Sequence, residues 1–158
     1  MKKHIYSIIG LFSILLATIM MSCSKKDEII NSSKLEGYWK VVYYIENGNK
    51  ITTEDHPTWP EFNNGEITLN FIHSDVETNR GSISGKTVTN SINGTYTIKE
   101  NNKISFSVFT TLINEPEWTK LFKINQVENY VKGTHQLLLN YDNTSIVLER
   151  ISFANKKS

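Results

Sequence analysis

The residues best suited to chemistry form an acidic loop that reads Glu54-Asp55-His56, with Glu61 further on. Two carboxylates and an imidazole are donors that divalent cations accept in proteins. Adjacent loop residues rarely converge on one ion, and His73 and His135 lie far away in the sequence, so we expect a solvated loop and no metal site. A Gly-rich phosphate loop, a Gly-x-Ser-x-Gly elbow and a His-Glu-x-x-His motif are all absent from the sequence. We therefore expect no enzyme activity and no cofactor.

Cys23 is the only cysteine, and it follows a segment with the layout of an export signal. Lys2 and Lys3 precede an apolar run from Ile5 to Met21, and Ser22 stands directly before Cys23. A basic region, an apolar region and a small residue before the cut are typical of such signals. The string Met20-Met21-Ser22-Cys23 resembles a lipobox. That resemblance implies cleavage after residue 22 and acylation of Cys23 Sγ with a diacylglycerol.

Two alternatives remain open for this amino-terminal segment. Cys23 could be incidental in an ordinary secreted protein, or the run from Ile5 to Met21 could be retained as a signal anchor, although it is short for a membrane span. On the lipobox reading, residues 1–22 are the signal peptide and residues 23–34 are the lipidated cysteine and a flexible tether. A β domain then occupies residues 35–152, and residues 153–158 form a carboxyl-terminal tail.

Charge and cysteine content narrow the function classes. Removing residues 1–22 takes away Lys2 and Lys3 and lowers the formal net charge from +1 to −1. A nearly neutral chain with scattered charges predicts no nucleic-acid partner. Once Cys23 is acylated no free thiol remains, which excludes disulfides and cysteine catalysis. The anchor makes a membrane the expected partner.

The tether carries the triplet Lys26-Asp27-Glu28. It looks like the lysine-plus-two-acids signal that one Gram-negative phylum uses to send lipoproteins to the outer face of the outer membrane. We therefore expect a lipid-anchored outer-membrane protein, and exposure at the cell surface is left open.

Short alternating segments separated by Gly and Asn dominate the rest of the chain, a pattern typical of strands and hairpins. The first strand places Trp39, Val41, Tyr43 and Ile45 on one face and ends at the hairpin signal Asn47-Gly48. The other predicted strands are 66–72, 81–88, 94–99, 103–110, 130–132 leading into 136–140, and 145–151.

One segment changes period and predicts a helix over Glu115–Glu128. Asn114 would cap it, Pro116 suits the first turn, and Trp118 and Leu121 recur at helical spacing. A single helix cannot supply βαβ crossovers throughout. The fold class predicted is therefore mainly β: an antiparallel, strongly curled sheet or small barrel of about eight strands with one α-helix.

Two motifs resemble known families. Gly37 and Trp39 form a Gly-x-Trp pair like the opening of lipocalin-like barrels, where the Trp plugs one end. The string Ser84-Gly85-x-x-Val88-Thr89-Asn90-x-Ile92-x-Gly94-x-Tyr96 resembles the central signature of META domains, which are small β-rich domains of bacterial envelope lipoproteins. The match holds at Ser84, Gly85, Asn90, Gly94 and Tyr96. It departs at Val88-Thr89, where that family has Gly-Cys, and at Ile92, where it has an aromatic residue.

The signature residues also have a purely structural reading. Gly85 and Gly94 would mark bends or close backbone approach. Asn90 would bond its own backbone and accept a left-handed φ in a turn, and Tyr96 would cap a loop carbonyl with its hydroxyl. The META resemblance implies a non-enzymatic domain with a binding or envelope-maintenance role. The alternative is a lipocalin-like carrier of a small apolar ligand. Trp59 lies between Pro57 and Pro60 and is the expected exposed contact for a ligand or a partner.

Overall fold

The structure is a computed structural model that describes residues 35–58, 61–75 and 78–152. Nine strands form one sheet, and their bounds are β1 Gly37–Glu46, β2 Asn49–Ile51, β3 Thr68–Asp75, β4 Arg80–Lys86, β5 Ser91–Ile98, β6 Ile104–Thr110, β7 Asn129–Lys132, β8 Gln136–Tyr141 and β9 Thr144–Arg150. Eight of them lie side by side in the order β6-β5-β4-β3-β1-β9-β8-β7, and β2 pairs only with β1. Every ladder is antiparallel. The predicted mainly β, strongly curled antiparallel sheet is confirmed.

Strands β6 and β7 bring the two ends of the sheet together. A bridge joins Lys103 to Asn129, and Ile104 N donates to Glu128 O at 3.0 Å. Further along β6 the partner is a side chain: Val108 N donates to Asn125 Oδ1, and Asn125 Nδ2 donates to Val108 O, each at 2.9 Å. The Asn125 amide therefore takes the place of a peptide group, and the curled sheet becomes barrel-like.

Inward-facing side chains of all the long strands fill the centre. Most residues predicted to face inward are buried in this core, and Phe106, Leu121 and Phe122 are only partly buried at its margin. The buried ones are Trp39, Val41, Ile67, Leu69, Phe71, Tyr96, Ile98, Val108, Trp118, Leu137 and Leu139. Phe71 packs edge-on against Tyr96 at 5.3 Å between ring centroids, and Tyr44 packs against Trp118 at 4.7 Å.

The first strand departs from simple alternation. Its register against β9 shifts between Val41 and Tyr43. Such a bulge moves every later side chain to the opposite face. Tyr44 is therefore buried, whereas Tyr43 and Ile45, both predicted to face inward, are only half-buried.

The helix predicted over Glu115–Glu128 is wrong. The segment contains two short 3₁₀ helices, Glu117–Leu121 and Ile124–Gln126, separated by non-helical backbone at Phe122 and Lys123. Tertiary contacts override the helical pattern here. Trp118 and Ile124 are drawn into the core, and Asn125 is bound to β6. The hydroxyl of Thr119 also bonds Pro116 O at 2.7 Å, a local contact that competes with α-helical pairing.

Candidate functional site

A polar hub joins the signature-like segment to the chain beyond β6, and it consists of buried Thr87 and Asn90 with half-buried Glu115. Asn90 lies in the turn between β4 and β5, and its side-chain oxygen accepts hydrogen bonds from Ile113 N at 2.8 Å and from Thr111 Oγ1 at 2.7 Å. Its Nδ2 donates to Ile113 O at 2.8 Å and to Glu115 Oε1 at 2.6 Å. Asn90 thereby fixes the chain that leaves β6, twenty residues and more away in sequence.

Glu115 completes the hub from the opposite side. Its carboxylate accepts hydrogen bonds from Thr87 Oγ1, from Asn90 N at 3.2 Å and from Thr89 N at 3.3 Å, besides the Asn90 amide. A carboxylate offers about four acceptor positions. Three of the four bonds converge on Oε1 and one reaches Oε2, so the turn between β4 and β5 holds the Glu115 carboxylate in place.

The sequence placed Asn90 in a turn but assigned it the wrong bonds. Its φ does not lie in the left-handed region, and its side chain binds the 111–115 segment rather than its own backbone. Glu115 and Thr87 were missed as its partners. One feature of the sequence indicates that Asn90 has distant partners. Its side chain has two hydrogen-bond donors and two acceptor positions, and it lies between two strands with buried residues, so these groups need several partners.

Two signature glycines stand where strands approach closely, as the sequence suggested. A Cβ on Gly85 would lie 2.0 Å from Thr68 O, and a Cβ on Gly94 would lie 2.2 Å from Ser107 O. Ser84 directly precedes Gly85 on β4, pairs with Asn70 on β3 and with Asn93 on β5, and is half-buried.

Tyr96 does not cap a loop carbonyl. Its ring lies over Gly81, where a Cβ would come within 2.4 Å of the hydroxyl. Among the described residues the hydroxyls of Tyr96 and Tyr44 are buried without a hydrogen-bond partner. Burial, with a smaller contribution from Glu36, raises the pKa of Tyr96 to about 12. Burial raises the pKa of Tyr44 well above its ordinary value as well.

Trp39 closes the end of the sheet at which the described chain begins. It is fully buried and donates Nε1 to Leu35 O at 2.8 Å. The Arg150 guanidinium lies 4.8 Å from the centre of a Trp39 ring and donates to Glu36 O at 2.8 Å. Gly37 sits beside it with φ +119, a conformation that L side chains rarely adopt. The sequence analysis did not predict this role for Arg150, although alternation along β9 places it on the same face as Ile146 and Leu148.

The acidic loop is held by local bonds. Asp55 Oδ2 accepts from Thr52 N at 2.7 Å and from Thr52 Oγ1 at 2.9 Å, and these bonds lower the pKa of the Asp55 carboxyl. Within 35–58, 61–75 and 78–152, no three His, Cys, Asp or Glu residues stand close enough to hold a metal ion. The same residues include no helix long and apolar enough to cross a membrane. Cys23 and Trp59 lie outside the described residues.

The hub also forms one wall of an open groove of about 420 Å³ at the end of β6. Val108, Phe122 and Ile124 give it an apolar floor, and Lys120 and Lys123 line it as well. Lys120 is already paired with Glu117 at 2.6 Å. We call this the end groove. Within the groove lining, the Glu115 carboxylate and the amides of Asn90 and Asn125 take part in internal hydrogen bonds.

Together these features define a class of small antiparallel β domain, barrel-like, with an aromatic core and a tryptophan-closed end. Among solved structures, the fold is similar to that of a DUF4847 family protein from Bacteroides vulgatus, with a TM-score of 0.55 and 15% sequence identity. The match covers 76% of this chain and 96% of the other, and at this identity it shows the fold alone. No family model matches the sequence, and no curated protein matches it.

Proposed function

We propose that this protein is a membrane-anchored lipoprotein of the bacterial envelope whose META-like β domain binds an envelope partner and catalyses no reaction. The observation that supports lipid anchoring is the string Met20-Met21-Ser22-Cys23, which ends an apolar run in a chain with no other cysteine. The signature matches at Ser84, Gly85, Asn90, Gly94 and Tyr96 support the META-like assignment.

The use of the polar groups favours binding over catalysis. A general acid or base needs a free group with a pKa near the working pH. In the described residues the raised pKa values belong to buried tyrosines, and the lowered ones belong to the exposed carboxyls Asp55 and Glu117. The hub, which is the richest polar cluster, serves to hold the 111–115 segment.

Core packing favours a partner at the surface over a small apolar ligand carried inside. Trp39, Phe71, Tyr96 and Trp118 project inward and are nearly or fully buried, so they occupy the space that such a ligand would need. A protein partner is therefore preferred to the carrier role. The triplet Lys26-Asp27-Glu28 further supports placement at the outer membrane.

Replacing the anchor residue tests the proposal. Cys23→Ser should release the protein from membranes almost completely, because two or more acyl chains hold a protein stably and their loss leaves no other anchor. Ser24→Ala, one residue away, is the matched control and should remain membrane-bound. The melting temperature should be equal in both variants, because the tether separates Cys23 from the first described residue, Leu35. Retention of the Cys23→Ser protein with residues 1–22 uncleaved would contradict the anchor and identify a signal anchor instead.

A further inference from the structure

The outer face of the sheet carries a row of aligned side chains that crosses five strands. The members of this row are register partners in four consecutive ladders, and in strand order they are Tyr38, Asn70, Ser84, Asn93 and Phe109. The core residues of the same strands stand one position away, so alternation places all five members on the outer face. We call these five residues the cross-strand row.

The cross-strand row has an aromatic ring at each end and small polar groups between them. Tyr38 is 45% exposed and Phe109 is 76% exposed. Neighbouring strands lie about 4.8 Å apart, so four spacings separate β1 from β6 by about 19 Å along the sheet. The adjacent row on β4, β5 and β6 is also made of small hydroxyl residues, namely Ser82, Thr95 and Ser107. Bulky side chains are therefore confined to the two ends, and the middle of this face is open.

A depression of about 400 Å³ lies over the first four members of the row. Among the described residues, the side chains of Asn70, Ser84 and Asn93 form no hydrogen bond with another residue. An asparagine amide offers two donors and two acceptor positions, and a serine hydroxyl offers one donor and two acceptor positions. These groups are available to a ligand, whereas the amides of Asn90 and Asn125 are used within the fold.

Charge restricts the class of ligand that fits the depression. Of the described residues that line it, only Lys86 is charged, and Lys86 belongs to the neighbouring row that pairs with Thr68 and Ser91. Because no acidic group lines the depression, it does not attract cations or basic peptides. The centre of the row also lacks the apolar anchor on which a protein interface depends. An uncharged ligand rich in hydrogen-bonding groups matches these features best.

We propose that the cross-strand row binds an uncharged oligosaccharide. A pyranose unit has an apolar face of C–H groups and a rim of hydroxyls, so it needs aromatic surface and neutral hydrogen-bonding groups together. Tyr38 and Phe109 supply the aromatic surface, while Asn70, Ser84 and Asn93 bond the hydroxyls. One sugar unit is about as long as one strand spacing, so a short chain of units covers the row. This ligand is additional to the envelope partner proposed above and does not depend on the lipid anchor.

An oligosaccharide array tests this inference with the full-length protein in a sugar-free detergent. The array presents neutral oligomers of glucose, mannose, galactose, xylose and N-acetylglucosamine, together with acidic oligomers of galacturonic acid. We expect the protein to bind at least one of the neutral oligomers and none of the acidic ones. The affinity for the bound oligomer is then measured by titration calorimetry.

Variants of the row identify the surface that binds. Asn93→Ala and Phe109→Ala should each lower the affinity for that oligomer by about tenfold, the loss expected for one or two hydrogen bonds or one packed ring. The matched controls are Asn49→Ala, exposed on β2, and Phe62→Ala, at a position 51% exposed, and both should retain the affinity of the parent. All four residues are exposed, so the melting temperatures should be unchanged.

Three outcomes would each overturn the proposal. Failure to bind any of the neutral oligomers would show that the cross-strand row is only a solvated face. Binding of the galacturonic acid oligomers alone would assign the depression to an anionic ligand of Lys86. Parent-like affinity in both Asn93→Ala and Phe109→Ala, or an equal loss in the controls, would show that the sugar binds elsewhere.

Discussion

Trp39 combines burial, a hydrogen bond to Leu35 O and a stacked guanidinium from Arg150 in one side chain. Trp39→Ala should therefore lower the free energy of unfolding by about 3–5 kcal/mol. Trp39→Phe should cost roughly 1–3 kcal/mol, because most of the ring remains while a buried carbonyl loses its donor. Urea denaturation monitored by circular dichroism measures both values. Val131→Ala, at a position 55% exposed, is the control and should change stability by less than about 0.5 kcal/mol. Equal urea midpoints for Trp39→Ala and the parent would contradict this role.

The two unpartnered tyrosine hydroxyls predict a response to alkaline pH. Burial raises the pKa of Tyr44 and Tyr96 above that of an unfolded tyrosine, so the fold favours their neutral forms. Their contribution is fully present below pH of about 10 and is lost as the pH rises through the higher folded values. Stability should be flat from neutral pH to about 10 and should then fall.

Tyr44→Phe and Tyr96→Phe should each raise stability at pH 7, by about 1 kcal/mol, and should reduce the loss of stability at alkaline pH. Tyr38→Phe, at a position 45% exposed, is the control. An unchanged alkaline midpoint in the double variant would contradict the assignment.

For single residues, the sequence predicts which side chains are buried better than it predicts their hydrogen-bond partners. Trp39 and Tyr96 are recognisable as core residues from alternation alone. The partners of Asn90 are not, because Ile113 and Glu115 reach it only after β5 and β6 have folded back on β4. The alternation along β9 places Arg150 on the same face as the core residues, so its contact with Trp39 could have been predicted. A charged residue at such a position, however, usually indicates the end of a strand.

Among the elements, β5 and β6 approach each other closely at Gly94. A Cβ on Gly94 would meet Ser107 O at 2.2 Å and Val108 Cα at 2.8 Å, both backbone atoms that cannot swing aside. Gly94→Ala should therefore force the two strands apart and cost about 1–3 kcal/mol. Gly133→Ala is the matched control, because its Cβ would lie 3.7 Å from Gln136 O, an ordinary contact. Thermal unfolding of the two variants compares them directly. Equal melting temperatures would show that β5 and β6 can separate without loss.

Strands and turns were predictable where the residues themselves favour one backbone conformation. Asn47-Gly48 adopts φ values of 51 and 82, as an Asn-Gly hairpin requires, and Asn101 and Asn102 both have positive φ. The bulge in β1 and the two 3₁₀ helices were not predictable, because each is imposed by neighbouring elements. β9 sets the shifted register, and β6 binds Asn125.

For the whole molecule, the mainly β class and the curled antiparallel sheet followed from eight alternating segments and the lack of crossover helices. The seam between β6 and β7 could not be predicted, because a single bridge and the Asn125 amide form it instead of a continuous ladder. The pairing of β1 with β9 was also inaccessible, since alternation alone does not say which strands become neighbours.

The tether remains a prediction, because residues 24–34 lie outside the described residues. Lys25, Lys26, Asp27, Glu28 and Lys34 leave the segment without an apolar face. Limited proteolysis of the intact protein should cleave there first and leave a resistant fragment that begins near Leu35. Amino-terminal sequencing of that fragment identifies the cut. Protection of residues 24–34 under conditions that cleave an unfolded control would show that the segment docks on the domain.

The ladder between β1 and β9 also determines when the domain can fold. It pairs residues as far apart as Trp39 and Arg150, whereas the other long strands pair with near neighbours in sequence. The hairpins from β3 to β6 and from β7 to β9 can form as soon as they are made, but β1 must wait for the final strand. A chain delivered amino end first, from a ribosome or through a membrane channel, therefore cannot complete its core until its last strand has arrived. Its folding rate is therefore set by closure of the long loop between β1 and β9.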